Sequence, residues 1–212
     1  ATGLPPIISI DQEGGVVARL TPDAVSFPSA MAVAATGDVQ NAYIAAVDTG
    51  RELAAMGVNC NLAPVMDVNT NAQNPVIGVR AYGCVPSEAA PFALETIRGH
   101  LDAGVMPVAK HFPGHGDTNV DSHLGLPRVE KTLDELMECE LVPYVQAIQQ
   151  GVPAIMAAHI LFPALEKNDL PASMSPAILQ GLLREKLGFD GLIVSDCLEM
   201  GAIQDHYGTP EG

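Results

Sequence analysis

The chain has 212 residues, of which 48% are apolar, so a single domain with a large hydrophobic core fits its length. A net charge of −15 at pH 7 argues against nucleic acid or an anionic membrane surface as the main partner. The sequence has no apolar run of about eighteen residues, and therefore no predicted membrane span. Its four cysteines lie far apart without a C-x-x-C pair, which disfavours zinc ribbons and thioredoxin chemistry.

Short apolar runs rich in branched side chains predict strands along the chain. Segments with helical periodicity separate them, so strand and helix alternate at intervals of about forty to fifty residues. This alternation predicts an α/β fold with a parallel sheet. The five predicted strands span residues 6–11, 58–64, 105–110, 154–160 and 192–196.

Helix signals lie between the strands. Apolar residues that share one face predict a helix over residues 39–53, which Gly57 ends. A second helix is predicted to begin at a Ser87 cap and to end at Gly104. Both helices would pack on the parallel sheet.

The second half of the chain carries further helix signals. Thr132 and Glu135 form a predicted capping box, and Pro143 is expected to break or kink the helix that follows. Ser175-Pro176 predicts an N-cap followed by proline at the first helical position, and Gly188 closes that helix. The helical segments therefore continue to alternate with the strands.

Polar side chains follow nearly every predicted strand. A doubly wound sheet would fit the alternation equally well, but polar groups at the strand ends are the layout of a (β/α)8 active face. The sequence therefore favours a TIM-barrel type of fold. Since five strands cannot close an eight-stranded barrel, we expect an incomplete internal portion of one. The polar residues are Asp11, Asp67, Lys110, His111, His159 and Asp196.

The most informative motif is KHFPGHG at residues 110–116, followed by Asp121-Ser122-His123. Upstream lies IDQEGG at residues 10–15, and downstream lies Val194-Ser195-Asp196. In this order the motifs resemble family 3 glycoside hydrolases, and within them the β-N-acetylglucosaminidase branch. The resemblance implies that residues 1–212 are a partial N-terminal-type catalytic barrel domain, with about one strand missing before it and about two after it.

The resemblance implies a retaining mechanism with three catalytic residues. Asp196, at the end of a strand, matches the family's nucleophile, although Cys197 stands where a second aspartate is usual. His123, paired with Asp121, matches the acid/base of the N-acetylglucosaminidase branch. An imidazole suits this role because it titrates near working pH and a neighbouring carboxylate stabilises its protonated form.

Other residues match sugar-binding or supporting positions of the family. Val16 replaces an arginine common in the family, so one accessory contact is expected to be lost. We expect Asp67 to anchor a loop, His115 to shape the following loop, and His159 to support the site from behind. The implied sugar-binding residues are Asp11, Arg19, Arg80, Lys110 and His111.

The implied activity is removal of terminal β-linked N-acetylglucosamine from cell-wall muropeptides or chito-oligosaccharides, with retention of configuration. The resemblance implies a carbohydrate partner and neither a cofactor nor a metal. It favours a cytoplasmic enzyme. Secretion or a lipid anchor stays open because a leader could have been left out of the sequence. The oligomeric state is also open.

Several alternatives remain. Glycoside phosphorolysis is open to the same fold because histidine, unlike a carboxylate, does not repel an incoming phosphate. A β-glucosidase on this fold and a non-catalytic carbohydrate-binding fragment are further candidates. A metal hydrolase is disfavoured. Two histidines spaced like His111 and His115 can bind zinc together on a helix, but Pro113 and Gly114 between them prevent a regular one.

Overall fold

The computed structural model describes residues 6–20, 24–119 and 125–208. Its strands form one parallel sheet in the order β1-β2-β3-β4-β5. Because every strand lies beside its neighbour in sequence, the sheet has the order of a (β/α)8 barrel and not the reversing order of a doubly wound sheet. This confirms the predicted fold class as an incomplete barrel. The strands are β1 Ser9–Ile10, β2 Cys60–Asn61, β3 Met106–Phe112, β4 Ala154–Ala157 and β5 Leu192–Ser195.

Helices fill the crossovers between successive strands. In the part of the chain that the structure describes, no helix is long and apolar enough to cross a membrane. The α-helices are α1 Ala30–Ala34, α2 Gln40–Ala55, α3 Pro86–Asp102, α4 Leu133–Glu138, α5 Val142–Gln149 and α6 Gly201–Gln204. Two 3₁₀ turns, Gly78–Arg80 and Ala172–Met174, and a π-helix, Ala177–Lys186, complete the described elements.

Two of the predicted helix starts are confirmed. The Thr132 hydroxyl accepts a hydrogen bond from the Glu135 backbone N–H at 3.3 Å, and the Glu135 carboxylate accepts one from the Thr132 N–H at 2.7 Å. The Ser175 hydroxyl accepts from the Ile178 N–H at 3.1 Å, ahead of the π-helix. These side chains satisfy backbone donors that the first turn of a helix leaves unpaired.

The predicted Ser87 cap is wrong. Helix α3 already begins at Pro86, and Val85 occupies the N-cap position without a side-chain hydrogen bond. Proline is suited to the first helical position because its φ is fixed and its missing N–H would be unpaired there anyway. The predicted interruption at Pro143 is confirmed as a break: α4 ends at Glu138, and Pro143 lies in the first turn of the separate helix α5.

The concave face of the sheet carries a layer of mostly apolar side chains around an open cavity of about 200 Å³. Ser9, Val108 and Val194 are among the residues that line it. Because successive side chains of a strand point to opposite faces, a residue two positions further on shares the face of the first. Three polar residues stand in this relation at the carboxyl ends of the strands: Asp11, Lys110 and Asp196. The alternation therefore favours a place for all three at this end of the sheet, where Asp11 Oδ1 contacts Lys110 Nζ.

Candidate active site

Lys110 lies at the centre of the polar cluster. Its side chain is only 3% exposed, and its Nζ contacts Asp11 Oδ1 at 2.6 Å and Glu13 Oε1 at 2.7 Å. A buried ammonium group needs such partners because burial removes its hydration. Lys110 is therefore held by the loop that follows β1, and does not extend to the surface.

Arg80 joins the cluster from the 3₁₀ turn that follows β2. Its Nε donates to Glu13 Oε2 at 2.9 Å and its Nη2 to Glu13 Oε1 at 2.8 Å, a two-pronged geometry that favours arginine. Its Nη1 also donates to the Val76 carbonyl at 3.2 Å. The turn itself is held by Asn74, whose side-chain oxygen accepts from the Val76 and Ile77 N–H groups.

Glu13 is the residue that the sequence reasoning missed. Burial raises the pKa of its carboxyl, but Arg80 and Lys110 overcome this and lower the pKa from 4.5 to about 2. Glu13 therefore stays ionised at any ordinary pH. Its position two residues after Asp11, within the IDQEGG motif, was the available signal.

His111 is oriented by Asp67. The ring Nδ1 lies 2.7 Å from Asp67 Oδ2, and the other carboxylate oxygen accepts from the backbone N–H of His115 at 2.6 Å. Burial lowers the pKa of His111 well below 6.5, and the Arg80 and Lys110 charges add to this effect. A neutral ring that donates through Nδ1 presents Nε2 as an acceptor, and Arg80 Nη2 lies 3.4 Å from it.

The loop after β3 packs tightly against the neighbouring crossover. The Lys110–His111 and Phe112–Pro113 peptide bonds that lead into it are cis. The His115 carbonyl accepts from Asn74 Nδ2 at 2.8 Å, and a Cβ atom on Gly116 would lie 1.8 Å from the Val68 carbonyl oxygen. Only glycine fits such a close backbone approach.

Lys131 ties the end of this loop to the helical layer. Its Nζ pairs with Asp117 Oδ2 at 3.1 Å and also with Glu140 Oε1. The Glu140 side chain is 1% exposed and packs beneath Gly114. Asp117 accepts a second hydrogen bond, from the Thr70 hydroxyl at 3.2 Å. The loop is therefore held by the preceding crossover, through Thr70, and by the helical part of its own crossover, through Lys131 and Glu140.

Asp196 directly follows β5 and is half-buried. Its backbone N–H donates to the Ala157 carbonyl at 3.0 Å, and its Oδ1 accepts from the Cys197 N–H at 2.8 Å. Behind it, His159 Nε2 lies 3.0 Å from the Cys197 carbonyl and its Nδ1 lies 2.7 Å from the Ser173 hydroxyl. Since a carbonyl only accepts, Nε2 carries the ring proton, and His159 fixes the segment that follows Asp196.

Arg19 is exposed, and its backbone N–H donates to Gln12 Oε1 at 2.7 Å. Gln12 is buried, and its own backbone pairs with the Asn61 side chain at 2.9 and 3.0 Å. Asn61 Nδ2 also lies 2.8 Å from the Nε2 of buried His100 on α3. The loop that carries Arg19 is thus anchored to β2 and α3 by residues to which the sequence reasoning assigned no role.

The structure brings together Asp11, Arg80, Lys110 and His111 through Glu13 and Asp67. Asp121 and His123, the predicted acid/base pair, lie outside the described residues. Among residues 6–20, 24–119 and 125–208, no group of three or more His, Cys, Asp or Glu side chains is arranged to hold a metal ion.

Comparison with known proteins gives the family. The model of the glycosyl hydrolase family 3 N-terminal domain matches residues 1–212. The chain is 42% identical over 220 residues to beta-hexosaminidase A of Pseudoalteromonas piscicida, a match that covers 96% of this chain and 37% of that protein.

Solved structures agree. A family 3 β-N-acetylglucosaminidase from Paenibacillus sp. str. FPU-7 superposes with a TM-score of 0.97 at 51% identity, covering 98% of this chain and 40% of that one. The β-glucoside phosphorylase BglX bound to 2FGlc superposes with a TM-score of 0.91 at 31% identity, covering 97% and 39%. The chain therefore spans about two fifths of the length of each of these relatives. With the match along its whole length, the chain belongs to the glycosyl hydrolase family 3 N-terminal domain family.

Proposed function

We propose that this chain forms the active face of a retaining exo-β-N-acetylglucosaminidase, which removes terminal β-linked N-acetylglucosamine from muropeptides or chito-oligosaccharides. In this proposal residues 1–212 are part of a catalytic barrel domain. The observation that carries it is one carboxylate, Asp196, at the end of β5, close enough to the Asp11–Lys110 cluster that its charge contributes to the raised pKa of Arg80 and opposes the lowering of the pKa of His111. A retaining glycosidase needs such a rigidly aimed carboxylate beside its sugar-binding groups.

Asp196 is the proposed nucleophile. Its carboxylate attacks the anomeric carbon, the glycosidic bond breaks, and a covalent glycosyl-enzyme forms, which water then hydrolyses. The hydrogen bond from the Cys197 N–H fixes the orientation of the Asp196 carboxylate. His159 holds the Cys197 carbonyl and so supports this orientation from behind the strand.

His123, assisted by Asp121, is the proposed acid/base, on the strength of the motif resemblance. It protonates the departing glycosidic oxygen and then accepts a proton from the attacking water. Histidine suits both steps because its pKa lies near working pH. His123→Ala should therefore slow hydrolysis of substrates with poor leaving groups much more than that of activated aryl glycosides.

The remaining predicted residues hold the sugar in this proposal. Asp11, whose side chain is 35% exposed, accepts from a sugar hydroxyl while Lys110 donates to one. His111 accepts through Nε2, and Arg80 and Arg19 contribute further donors. The likeness to the Pseudoalteromonas beta-hexosaminidase and to the Paenibacillus β-N-acetylglucosaminidase supports the N-acetylglucosamine specificity.

Trapping of the glycosyl-enzyme tests the proposal. The protein is incubated with an activated 5-fluoro-N-acetylglucosaminyl donor, which slows breakdown of the intermediate, and is then analysed by intact and peptide mass spectrometry. We expect a single sugar adduct on Asp196 and none in Asp196→Asn. An adduct on another carboxylate would contradict the nucleophile assignment, and the absence of any adduct would contradict the retaining mechanism.

Phosphorolysis is the second candidate, and the structural likeness to a β-glucoside phosphorylase favours it. Phosphate would replace water as the acceptor and release a sugar 1-phosphate. The test is product analysis with and without inorganic phosphate: a sugar phosphate in the products supports this candidate. An unchanged rate with only free sugar released excludes it.

A further inference from the structure

Two cations of the cluster share one carboxylate. Glu13 accepts from Arg80 through both of its oxygens, and Glu13 Oε1 also contacts Lys110 Nζ at 2.7 Å. These three residues come from three neighbouring βα units, since Glu13 follows β1, Arg80 follows β2 and Lys110 lies within β3, two residues before its end. The position of one side chain therefore fixes the separation of the other two.

Glu13 and Asp11 differ in whether their carboxylate oxygens are free to accept a hydrogen bond from a ligand. The Glu13 side chain is 7% exposed, and both of its oxygens are engaged by the two cations. The Asp11 side chain is 35% exposed and contacts Lys110 through one oxygen, Oδ1. Asp11 therefore has the access to accept from a ligand hydroxyl, whereas Glu13 acts on the cations.

Without the Glu13 charge, Arg80 and Lys110 would repel each other in a site largely closed to water, where such repulsion is strong. Lys110 would keep Asp11, and Arg80 would keep the Val76 carbonyl. These remaining partners lie on different segments, since Asp11 follows β1 and Val76 follows β2, and neither joins the two cations. Without Glu13 the two cations would remain in the site, but the distance between them would change.

We propose that Glu13 is a positioning residue that sets the spacing of Arg80 and Lys110 so that both donate to the same sugar. This inference rests on the proposed function, which makes Arg80 and Lys110 sugar-binding groups. It predicts that Glu13 acts on substrate binding through Lys110 and Arg80, without touching the sugar.

The test begins with Glu13→Gln, which keeps the size of the side chain and removes its charge. We expect KM for an aryl N-acetylglucosaminide and Kd for free N-acetylglucosamine to rise together by about 10- to 100-fold, the loss typical when a partner behind a ligand-binding group is removed. The change in kcat should be smaller. Glu95→Gln is the matched control, because it removes a carboxylate from the surface pair with Arg98 and should leave KM unchanged.

A double-mutant cycle separates positioning from a general structural role. If Glu13 acts through Lys110, the double variant Glu13→Gln, Lys110→Met should lose little more kcat/KM than Lys110→Met alone. Fully additive losses would overturn the inference. Glu13→Asp guards against misfolding of the glutamine variant: it keeps the charge, yet its side chain is too short to contact both cations, so KM should still rise.

The outcomes also distinguish a failure of the positioning role of Glu13 from a failure of the proposed function. If the unsubstituted protein turns over and binds the sugar while Glu13→Gln or Glu13→Asp keeps its KM and Kd, the positioning role is wrong and the proposed function stands. If the unsubstituted protein neither binds nor cleaves the sugar, the proposed function fails, and the positioning role fails with it.

Discussion

The two ends of the site differ in how their charged groups are held. Near the carboxyl ends of β1, β2 and β3, the Glu13 carboxylate pairs with both Arg80 and Lys110, and each of these side chains is at most 12% exposed. After β5, Asp196 is half-buried and is held by backbone groups of Ala157 and Cys197. The first arrangement keeps the proposed binding groups rigid, and the second orients the proposed nucleophile while leaving it accessible to a substrate.

The largest expected effect is at Asp196, the half-buried carboxylate after β5. Asp196→Asn should lower kcat by about 10³-fold or more, because the amide cannot form the glycosyl-enzyme. Its side-chain oxygen can still accept from the Cys197 N–H, so the thermal midpoint should shift little. Steady-state kinetics and thermal unfolding measure the two effects. A large loss of stability in this variant would contradict the comparison, since Asp196 would then hold the fold as well.

Lys110→Met tests the buried cluster of Glu13, Arg80 and Lys110. It should cost about 3 kcal/mol in the free energy of unfolding, because removing one member of a buried charge cluster leaves its partners uncompensated. Substrate binding should weaken as well. Denaturant unfolding measures the first effect and KM the second. The control is Lys186→Met on the exposed end of the π-helix, which should change neither.

Gly116→Ala tests the loop after β3, next to the buried cluster of charges. A methyl group there would lie 1.8 Å from the Val68 carbonyl, so the loop or its neighbour must move, at a cost of at least about 2 kcal/mol. Gly181→Ala is the matched control: no atom lies within 4 Å of its added Cβ, and alanine favours a helix. Equal thermal midpoints for the two variants would show that the close approach at Gly116 is unimportant.

The smallest expected effect is the share of a single histidine in the pH dependence of stability. Burial is the main cause that lowers the pKa of four histidines below 6.5, so the unfolded chain binds more protons than the folded one as pH falls below that value. Stability is therefore retained above about pH 6.5 and lost below it, by up to about 1.4 kcal/mol per pH unit for each histidine. The four are His100, His111, His115 and His159.

Urea unfolding across this pH range measures the slope. His111→Asn should reduce it, because the pKa of His111 is held well below 6.5 in the folded protein. A slope equal to that of the unsubstituted protein would contradict a contribution from His111.

Periodicity and the strand ends predicted the barrel, because alternating apolar runs and the polar residues that follow them are local in sequence. Strand lengths were less predictable: the run at 154–160 ends as a strand at Ala157, while Ala158 and Ile160 continue as buried coil. Of the predicted helix starts, Thr132 and Ser175 hold and Ser87 does not, because the preceding proline starts that helix.

The candidate site was predictable only in part. Asp11, Lys110 and Asp196 could be found because each directly follows an apolar strand. The role of Glu13 depends on two cations that are distant in sequence, Arg80 and Lys110. The same holds for Gln12, whose anchoring requires β2 and α3 to be in place. Such contacts are products of the tertiary fold and leave no local pattern.

The contact between α2 and α3 extends the constraints of the site to the outer layer. A Cβ atom on Gly99 would lie 2.7 Å from Ala46 Cβ, so α3 would have to shift to accept it. The next residue, His100, contacts Asn61, which holds Gln12 and the loop beyond it. A natural or engineered variant of this domain would therefore tolerate few changes at Gly99. A position in the outer helical layer is therefore constrained by the geometry of the loop that carries Arg19.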